Sequence, residues 1–260
     1  MNEYQGWLNV YKPLNLSSFA VLRKIKKKFS LPKIGYAGTL DPLAEGILPI
    51  ALGKTTKLIP FINDQIKEYE FEIKWGEQTL TDDREGKIID VSSNIPEAEE
   101  IYEKLPLFKG NILQSPPKAS AVKINGKRAY KLLRNNENFE TKKKLVKIYA
   151  VKLINQPYPN VSKFNIICGK GFYIRSFARD FGEILNTKAH IHSLKRTKVG
   201  KFCLENSILL DDLLKIGQTR LGFREIHSSV SMLDDILAYE IDDEKLIKQL
   251  SQGKSVKIDT

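Results

Sequence analysis

The sequence predicts an α+β domain built on a mixed, largely antiparallel sheet with flanking helices. Segments with the two-residue alternation of strands outnumber segments with helical periodicity. Strands and helices do not alternate regularly, as they would in a parallel βαβ fold. A chain of 260 residues is also long enough for one large domain, or a large and a small one, to bury a hydrophobic core.

The first predicted elements are a short strand, Trp7–Tyr11, and an amphipathic helix. Apolar residues recur at helical spacing from Ser18 to Phe29, and Ser17 or Ser18 suits the N-cap. The opposite helix face is basic, which fits either a solvated surface or a ridge that faces phosphates. Its cations are Arg23, Lys24, Lys26, Lys27 and Lys28.

The middle of the first half contains the clearest strand. Gly35–Gly46 is punctuated by glycine and proline, and periodicity does not resolve it; the apolar run Ile47–Leu52 that follows is predicted to be buried. Glu68–Trp75 alternates apolar and charged residues strictly, which places Tyr69 on the inner face of a strand. The acidic segment Thr79–Gly86 then predicts a turn.

A helix is predicted over Pro96–Lys104, and an irregular, cationic segment follows it. That segment contains a short strand, Ala121–Ile124, the hairpin signal Asn125-Gly126, and a short helix from Ala129. Its cations are Lys118, Lys123, Lys127, Arg128, Lys131 and Arg134.

The second half of the chain predicts strands over Lys142–Leu153, Val161–Cys168 and His190–Lys198, with a helix over Ile174–Leu185 between the last two. The character of the sequence changes near Met232. We therefore expect one domain over residues 1–232. Residues 233–260 resemble the beginning of a small appended domain, with the acidic pair Asp234 and Asp235 followed by a helix and the start of a strand within 240–257.

Composition bounds the class of protein. Lys and Arg number 42 against 31 Asp and Glu, a formal charge of +11, which favours a polyanionic partner, although a lysine-rich genome would produce the same excess. Neither a signal peptide nor a run of about 18 apolar residues is present, so the cytoplasm is the expected compartment. Cys168 and Cys203 lack the spacing of a metal or redox pair, and both are expected to be buried thiols.

Two segments contain residues suited to chemistry. Asp41-Pro42 is typical of a helix start or a turn, and taken alone it favours a structural role. In the segment Lys170–Asp180, Arg175 lies in the first turn of a predicted helix, where its positive charge is unfavourable beside the positive end of the helix dipole. It therefore needs a partner, and a carboxylate is the natural candidate. Asp180 is the nearest such carboxylate in the sequence.

Seven short segments, spread across roughly residues 6 to 202, are more specific as an ordered set than any one of them is alone. They are Lys12-Pro13 with Ser17-Ser18, Gly38–Pro42, Lys67–Tyr69, Thr79–Gly86, Gln114–Tyr130, Gly171–Gly182 and Leu194–Thr197. In this order they resemble the bacterial tRNA pseudouridine synthase B family, TruB, which modifies the uridine at position 55 in the T loop of tRNA.

The resemblance implies the pseudouridine synthase fold and a reaction without a metal or organic cofactor. It makes Asp41 the catalytic carboxylate, Arg175 the arginine that orients it through a bidentate pair, and Tyr69 the active-site tyrosine. An ionised carboxylate suits the reaction, because breaking a glycosidic bond develops positive charge on the sugar. Leu194 corresponds to a leucine of the substrate pocket.

The resemblance also implies contacts with folded RNA. The target uridine must be flipped out of its stack, and RNA is recognised chiefly by shape and phosphate contacts. The T arm of tRNA is the implied partner, and residues 118–145 resemble a mobile thumb that clasps it. The implied RNA-binding residues are Arg23, Lys26, Lys27, Lys118, Lys123, Lys127 and Arg128.

This chain departs from the family at several positions. Tyr36, assigned to the substrate pocket, stands where the family usually has a histidine that stacks in the RNA fold. Asn15 stands where glycine is usual, although asparagine tolerates positive φ. Leu80 interrupts a Thr-Asp-Thr pattern. Lys12, also assigned to the pocket, is expected to order the active-site loop. Relatives continue through a complete RNA-binding domain where this chain ends at Thr260, which predicts weaker RNA binding.

Other interpretations stay open at this point. The charge would equally suit a catalytically inactive RNA-binding protein or tRNA folding chaperone, or the same chemistry on another RNA. Asp41 is able either to attack C1′ or to serve a path through a glycal. Glu45 is interpreted as a helix-start or solvated residue, and His190 and His192 as strand neighbours without a metal. With no exposed apolar helix evident, a monomer is expected.

Overall fold

A computed structural model describes residues 4–216, 225–233 and 241–257 of the chain. The predicted acidic pair Asp234 and Asp235, and the last residues up to Thr260, lie outside these ranges.

The strands are numbered in chain order. They are β1 (Gly6–Lys12), β2 (Ile34–Tyr36), β3 (Ala44–Leu52), β4 (Lys67–Trp75), β5 (Glu77–Thr79), β6 (Ile88–Val91), β7 (Gly110–Gln114), β8 (Lys123–Ile124), β9 (Lys127–Arg128), β10 (Lys144–Tyr158), β11 (Val161–Cys168), β12 (Ala189–Val199), β13 (Phe202–Cys203), β14 (Ile208–Leu209) and β15 (Ile226–His227).

The α-helices are short. They are α1 (Ser18–Lys28), α2 (Ile59–Asp64), α3 (Ala98–Lys104), α4 (Ala129–Arg134), α5 (Ile174–Ile184), α6 (Leu210–Lys215) and α7 (Glu244–Ser251). Across the described ranges, none of the helices is both long and apolar enough to cross a membrane.

One large mixed sheet organises the protein. Its main path runs β14-β1-β3-β12-β4-β11-β10-β7. Three further strands join this path: β2 pairs with β3, β15 pairs with β1, and β13 pairs with β12. Among these pairs, only β1–β14 and β3–β12 are parallel; the others are antiparallel. The predicted α+β class with a mixed, largely antiparallel sheet is confirmed.

The alternation of β4 produces the main core. Its apolar residues from Tyr69 to Trp75 are buried, while the intervening charged residues are half-exposed. Helix α5 packs on the buried face, where Phe177 lies edge-on to Phe71 with ring centroids 5.7 Å apart. Phe164 of β11 also stacks on Phe71, with ring centroids 5.5 Å apart. Close aromatic packing of this kind fixes the position of α5 against the centre of the sheet.

A second core lies beneath α1. The hydroxyl of Ser17 accepts a hydrogen bond from the Ala20 N–H at 3.1 Å, which confirms Ser17 as the N-cap. Val21 and Ile25 are buried against the apolar faces of β1 and β3. The basic residues of α1 therefore face solvent on the opposite side.

The Asp41-Pro42 segment forms a turn and does not start a helix. The Ala44 N–H donates to the Asp41 carbonyl at 3.1 Å, and β3 begins at Ala44. The next residues are extended because β3 pairs with both β1 and β12, so tertiary pairing decides between the two predicted outcomes. Glu45 accordingly lies in a strand, and its predicted place at a helix start is wrong.

Two further predictions need adjustment. The strand predicted over Ala121–Ile124 is limited to Lys123–Ile124, paired with β9. Cys168 is buried as expected, whereas Cys203 is only partly buried, because β13 is a two-residue strand on the rim of the sheet.

Candidate active site

The predicted catalytic residues and Leu194 converge where β3, β12 and β4 lie side by side. Leu194 of β12 is paired with Ala44 of β3 on one side and with Phe71 of β4 on the other. The turn that carries Asp41 leads directly into β3, and Tyr69 lies on β4. Arg175 reaches the same place from the first turn of α5.

These residues surround a cavity of about 560 Å³, a volume typical of small-ligand sites. Its walls mix apolar, aromatic and cationic side chains with glycine-rich backbone. The lining residues are Gly38, Thr39, Leu40, Asp41, Asn63, Lys67, Tyr69, Ala119, Ser120, Ala121, Tyr130, Gly169, Lys170, Gly171, Phe172, Tyr173, Ile174, Arg175, Leu194 and Arg196.

Arg175 and Asp41 form an ion pair with unequal burial. The Arg175 Nε lies 3.0 Å from the Asp41 Oδ2. The arginine side chain is 6% exposed, whereas that of the aspartate is 37% exposed. The carboxylate therefore has one oxygen held by a buried cation and remains open to a ligand in the cavity.

The pair is not bidentate, so that prediction is wrong. The guanidinium divides its donors among several acceptors: Nη1 donates to the Thr81 carbonyl at 2.9 Å, and Nη2 donates to the Ala119 carbonyl at 3.1 Å. Because Thr81 and Ala119 belong to separate loops, the fork joins three parts of the chain. Nε is the nitrogen that faces Asp41.

A second carboxylate, Asp83, lies 3.6 Å from Arg175 Nη1. It is buried, and its Oδ1 accepts from the Thr81 hydroxyl at 2.6 Å and from the Glu85 N–H at 3.1 Å. Burial raises the pKa of Asp83, with these hydrogen bonds and Arg175 opposing the shift. The carboxylate partners of Arg175 are thus Asp41, which was expected, and Asp83, which was not.

The alternative partner, Asp180, is taken by a different arginine. Arg179 Nη2 lies 2.8 Å from the Asp180 Oδ1, and Arg179 Nη1 lies 2.9 Å from the Asp82 Oδ2. The two arginines are neighbours one turn apart on α5, and each contacts a different pair of carboxylates.

Tyr69 lies at the base of the cavity beside a residue that sequence reasoning did not single out. It is directly opposite Arg196 in the β4–β12 ladder. Burial raises the pKa of Tyr69, and the guanidinium of Arg196 against its hydroxyl opposes that shift. Arg196 follows Lys195 in a basic stretch, which suggests an exposed residue. The one indication of an inward side chain was that Arg196 lies two residues after Leu194 and so shares its face of β12.

Lys67 is another cavity residue that was not predicted. Its Nζ donates to the carbonyls of Asn63 and Gln65, at 2.9 and 2.6 Å, and so caps the end of α2. Burial lowers the pKa of Lys67 to about 8. Lys67 lies two residues before Tyr69, so the alternation along β4 places it on the same inner face. A lysine at the start of a strand is more often exposed, however, and the sequence alone therefore did not predict its burial.

Lys12 and Tyr36 do not line the cavity, so their placement in the substrate pocket is corrected. Lys12 is fully buried, and its Nζ donates to the carbonyls of Pro13 at 2.9 Å and Leu16 at 2.6 Å, and more distantly to Pro42. It orders the loop beneath Asp41, as its expected role required. Tyr36 lies on β2 and packs against the apolar cluster under α1, which turns it away from the cavity.

Asn15 supports the same loop. Its φ is +62°, as the substitution for glycine predicted, and its N–H donates to the Pro42 carbonyl at 2.9 Å. Glu45, the nearest other carboxylate in the sequence, lies 3.5 Å from Lys195 in a surface ion pair and does not line the cavity.

The cationic insertion forms one wall of the cavity. Gln114 of β7 and Lys144 of β10 are paired across the sheet, so the chain leaves and returns at one place. The Gln114 side chain both donates to and accepts from the backbone of Tyr173, which joins this base to the start of α5. The β8–β9 hairpin is confirmed, with positive φ at Asn125 and Gly126.

None of the predicted RNA-binding residues lines this cavity. Lys123, Lys127 and Arg128 are exposed on the hairpin at the tip of the insertion. Lys118 is exposed as well, but it lines a separate groove beside α5. The α1 cations are exposed on their own helix face; they are Arg23, Lys26 and Lys27.

The arrangement suits chemistry on a planar ring attached to a centre that becomes positively charged. It presents an accessible carboxylate, a buried guanidinium behind it, and a phenol and apolar side chains beside it. Within the part of the chain that the structure describes, no cluster of three or more His, Cys, Asp or Glu residues is placed to hold a metal ion.

Family models account for most of the chain. Residues 26–174 match the model of the TruB family pseudouridylate synthase N-terminal domain. Residues 175–248 match the model of the tRNA pseudouridylate synthase B C-terminal domain.

Individual relatives match at substantial identity. The tRNA pseudouridine synthase B of Wolbachia pipientis subsp. Culex pipiens is 47% identical over 215 residues, which are 82% of this chain and 61% of the relative. That of Anaplasma marginale is 44% identical over 255 residues, 97% of this chain and 83% of the relative.

Solved structures share the fold. The Cbf5-Nop10-Gar1 complex contains a chain that matches with a TM-score of 0.63 and 30% identity, over 80% of this chain and 53% of that one. An H/ACA RNP bound to a substrate RNA containing 2′-deoxyuridine matches with a TM-score of 0.61 and 26% identity. This chain spans about half the length of these two structural matches.

Proposed function

Because this chain belongs to the TruB family of pseudouridylate synthases, we propose that it isomerises uridine to pseudouridine in tRNA. The observation that carries the proposal is the contact between Arg175 Nε and Asp41 Oδ2, 3.0 Å long, at the wall of a cavity that holds a tyrosine. The curated relatives are named tRNA pseudouridine synthase B, which favours tRNA as the substrate. The proposed target is the uridine at position 55 in the T loop.

The reaction requires one carbon–nitrogen bond to break and one carbon–carbon bond to form. The N1–C1′ bond breaks, the uracil turns within the cavity, and C5 joins C1′; C5 then loses its proton and N1 gains one. Atoms are conserved, so the substrate and product are isomers. The enzyme must stabilise the sugar cation and hold the detached base while it turns.

Asp41 is the proposed group that faces C1′. An ionised carboxylate either attacks C1′ to give a glycosyl ester, which C5 later displaces, or stabilises the sugar while a C2′ proton leaves to give a glycal. Arg175 holds one carboxylate oxygen and is itself fixed by the carbonyls of Thr81 and Ala119. This anchoring supports a role in aiming Asp41, because the arginine has little freedom to move.

Tyr69 is the proposed neighbour of the target base. Its ring lies at the cavity wall with Leu194, where it offers an aromatic face to a flipped uracil. Burial raises the pKa of Tyr69, so the phenol is protonated at neutral pH and would donate a proton or accept one only with help from a neighbour.

The insertion is the proposed clasp for the T arm. Its tip presents Lys123, Lys127 and Arg128 to solvent, while its base lines the cavity through Ala119 and Tyr130. Binding of phosphates at the tip would therefore place RNA over the cavity entrance. We further propose that the protein acts as a monomer, and that residues 233–260 begin a small RNA-binding unit.

The test is release of tritium from tRNA labelled at uridine C5. The wild-type protein and Glu45→Gln are expected to release tritium at similar rates, because Glu45 lies outside the cavity. Asp41→Asn is expected to bind tRNA normally while its release rate falls at least about 10³-fold. Equal release by wild type and Asp41→Asn would reject the catalytic assignment. Tight tRNA binding without release by wild type would favour the RNA-binding alternative.

The target position has its own measurement. Product tRNA is mapped for pseudouridine by chemical modification and primer extension, with whole tRNA and an isolated T-arm hairpin as parallel substrates. Pseudouridine at position 55 in both substrates is the expected result, and its appearance elsewhere would reject the T-loop assignment.

A further inference from the structure

We propose that Arg196 is a positioning residue of this site, which ties the loop carrying Asp41 to the strand carrying Tyr69. The inference rests on the proposed function, because its consequence is measured as a rate of pseudouridine formation. Arg196 acts on the backbone of the catalytic loop, whereas Arg175 acts on the carboxylate itself.

The position of Arg196 in the sheet places it between the two functional groups. It lies on β12, directly opposite Tyr69 on β4 and directly opposite Gly46 on β3. Gly46 lies five residues after Asp41, at the start of the strand into which the catalytic turn leads. A side chain at this position of β12 is therefore able to contact both neighbouring strands.

The guanidinium is bonded to the catalytic loop at two separate points. Arg196 Nε donates to the Ile47 carbonyl at 2.7 Å, and Nη2 donates to the Gly38 carbonyl at 2.8 Å. Gly38 and Ile47 lie on either side of Asp41 in the sequence. The same side chain therefore closes the segment 38–47 into a loop with Asp41 within it.

The loop lies directly on the guanidinium. Gly38 has φ +69°, and a Cβ built on it would be 3.1 Å from Arg196 Nη1. The Tyr69 hydroxyl is close enough to the same guanidinium for Arg196 to oppose the rise in the pKa of Tyr69. The same guanidinium therefore lies next to both the Asp41 loop and the phenol.

The electrostatic environment of Arg196 supports a role beyond packing. The side chain is 1% exposed, yet within the described residues no ion pair joins it to a carboxylate. Its nearest charged neighbours include other cations, Lys12 and Lys67, which makes the site more costly for a positive charge. An apolar residue would fill the space at a lower cost in free energy. What Arg196 provides in addition is its pair of directional hydrogen bonds to the loop.

The kinetic consequence follows from geometry. A displacement of about 1 Å at a reacting group costs on the order of 10²-fold in rate. Arg196→Lys keeps the charge but has no planar fork with which to reach both carbonyls. We expect kcat to fall about 100-fold while KM and the Kd for tRNA change less than about threefold.

The pH profile distinguishes positioning from a general loss of structure. Arg196 opposes the rise that burial causes in the pKa of Tyr69. Arg196→Met removes that opposition, so any alkaline limb of kcat that reports Tyr69 should move to higher pH. In Arg196→Lys the charge remains, and the limb should stay closer to that of wild type.

The experiment compares four proteins by tritium release, tRNA binding and thermal unfolding: wild type, Arg196→Lys, Arg196→Met and Arg179→Lys. Arg179 is the matched control, since it is a mostly buried arginine of α5 whose bonds reach Asp82, Asp180 and the Ser115 carbonyl and which lines a different groove. Even if its variant is as destabilised as the Arg196 variants, below its Tm it should retain kcat within about threefold of wild type.

A second variant covers the case in which Arg196→Met fails to fold. Gly38→Ala keeps Arg196 but forces a Cβ toward the guanidinium at a positive φ, so it should lower kcat with little change in tRNA affinity. Wild-type kcat in folded Arg196→Met or Gly38→Ala overturns the inference and leaves the proposed function intact. Absence of tritium release from wild type overturns both.

Discussion

Burial divides the roles of the two residues in the Asp41–Arg175 pair. The arginine is almost fully enclosed, so its nitrogens need partners within the protein, and each of the three has one: Asp41 for Nε and the carbonyls of Thr81 and Ala119 for Nη1 and Nη2. The carboxylate keeps contact with the cavity because only one of its oxygens faces the arginine. An ionised group that is both oriented and accessible is what the proposed reaction requires.

Arg175→Lys tests how much the planar fork contributes. A lysine cannot replace three donors in three directions, so we expect kcat to fall at least about 100-fold and the free energy of unfolding to fall by about 1–3 kcal/mol as the carbonyls lose their donor. Tritium release and urea unfolding measure these effects. Arg84→Lys, an exposed arginine of the adjacent turn, should match wild type in both. Normal kcat in Arg175→Lys would contradict the orienting role.

Lys67 makes stability depend on pH. Its pKa of about 8 in the folded protein lies below the ordinary value of 10.5, so between these values the unfolded chain binds more protons. The destabilising contribution is therefore fully present below pH 8 and is relieved as pH rises toward 10.5, by at most about 1.4 kcal/mol per pH unit. Other groups titrate in the same range, so the comparison must be with a variant.

Urea unfolding of wild type and Lys67→Met at pH 7.5 and 9.5 isolates this contribution. The difference in unfolding free energy, wild type minus variant, should increase by about 2 kcal/mol over that interval. Lys104→Met changes an exposed lysine of α3, and its difference from wild type should stay constant. A constant difference for Lys67→Met as well would show that Lys67 titrates normally.

Some of these residues were predictable and others were not. The need of Arg175 for a carboxylate followed from its place in the first turn of a helix, and the structure supplies Asp41 and Asp83. Lys67 and Arg196 were missed although the alternation along their strands places both on the inner face. Alternation alone rarely predicts a buried cation, because its burial depends on carbonyl groups that only folding brings near. Lys12 was misplaced for the same reason.

At the scale of the element, the contact of β3 with β12 depends on one glycine. Gly46 has φ +104°, and a Cβ built there would lie 2.2 Å from the Arg196 carbonyl. The two strands pair in parallel at this point, with Gly46 opposite Arg196. Any side chain at Gly46 would separate the strands or distort the turn that carries Asp41.

Gly46→Ala should be far more destabilising than Gly110→Ala. Gly110 has a similar φ, +96°, but its Cβ would meet nothing within 4 Å, so its variant reports the backbone strain alone, about 1 kcal/mol. The additional clash at Gly46 should cost at least about 2 kcal/mol more, as overpacking does. Chemical denaturation of both variants measures the difference. Equal losses would mean that the strands separate at no cost.

Elements with strong local patterns were predicted well. β4, α1 and α5 follow their periodicity because one face of each packs on the core. Asp41-Pro42 was ambiguous because a turn before a strand and a helix start share the same residues, and only the pairing of β3 on both sides decides. The two-residue strands β13, β14 and β15 have no period to detect.

At the scale of the whole molecule, the excess of cations is concentrated partly on the insertion. Its tip lies outside the sheet and is held at its base by Gln114. Exposed cations on a projecting hairpin are suited to contact phosphates without contributing to the fold.

Replacing Lys123, Lys127 and Arg128 together by glutamine should weaken tRNA binding and make it less sensitive to salt. The slope of log Kd against log salt should decrease by about 1 for each phosphate that the variant no longer neutralises, up to about 3. Lys104, Lys109 and Lys152, exposed residues outside the cavity lining, provide a control with the same change in charge. If both triple variants shift the slope equally, the insertion has no special role in binding.

The fold class could be anticipated at this scale, as could the presence of Asp41, Tyr69, Arg175 and Leu194 in one cavity, but the assembly of the sheet could not. Nothing in the local pattern of β12 indicates that it pairs in parallel with a strand about 150 residues earlier and antiparallel with β4. Pairing at such distances depends on the total packing of the chain rather than on any segment.

The place of β12 has a consequence for biosynthesis. Its neighbours β3 and β4 are translated early, yet they share no direct pairing and meet only through β12. Until residue 199 has left the ribosome, β12 is not complete. Asp41 and Tyr69 then lie next to or on strands that have no common partner. Long-range closure of this kind is slow, because the entropy of the intervening loop must be lost first. We therefore expect the cavity to be completed in a late step, when β12 enters between two strands that are already made.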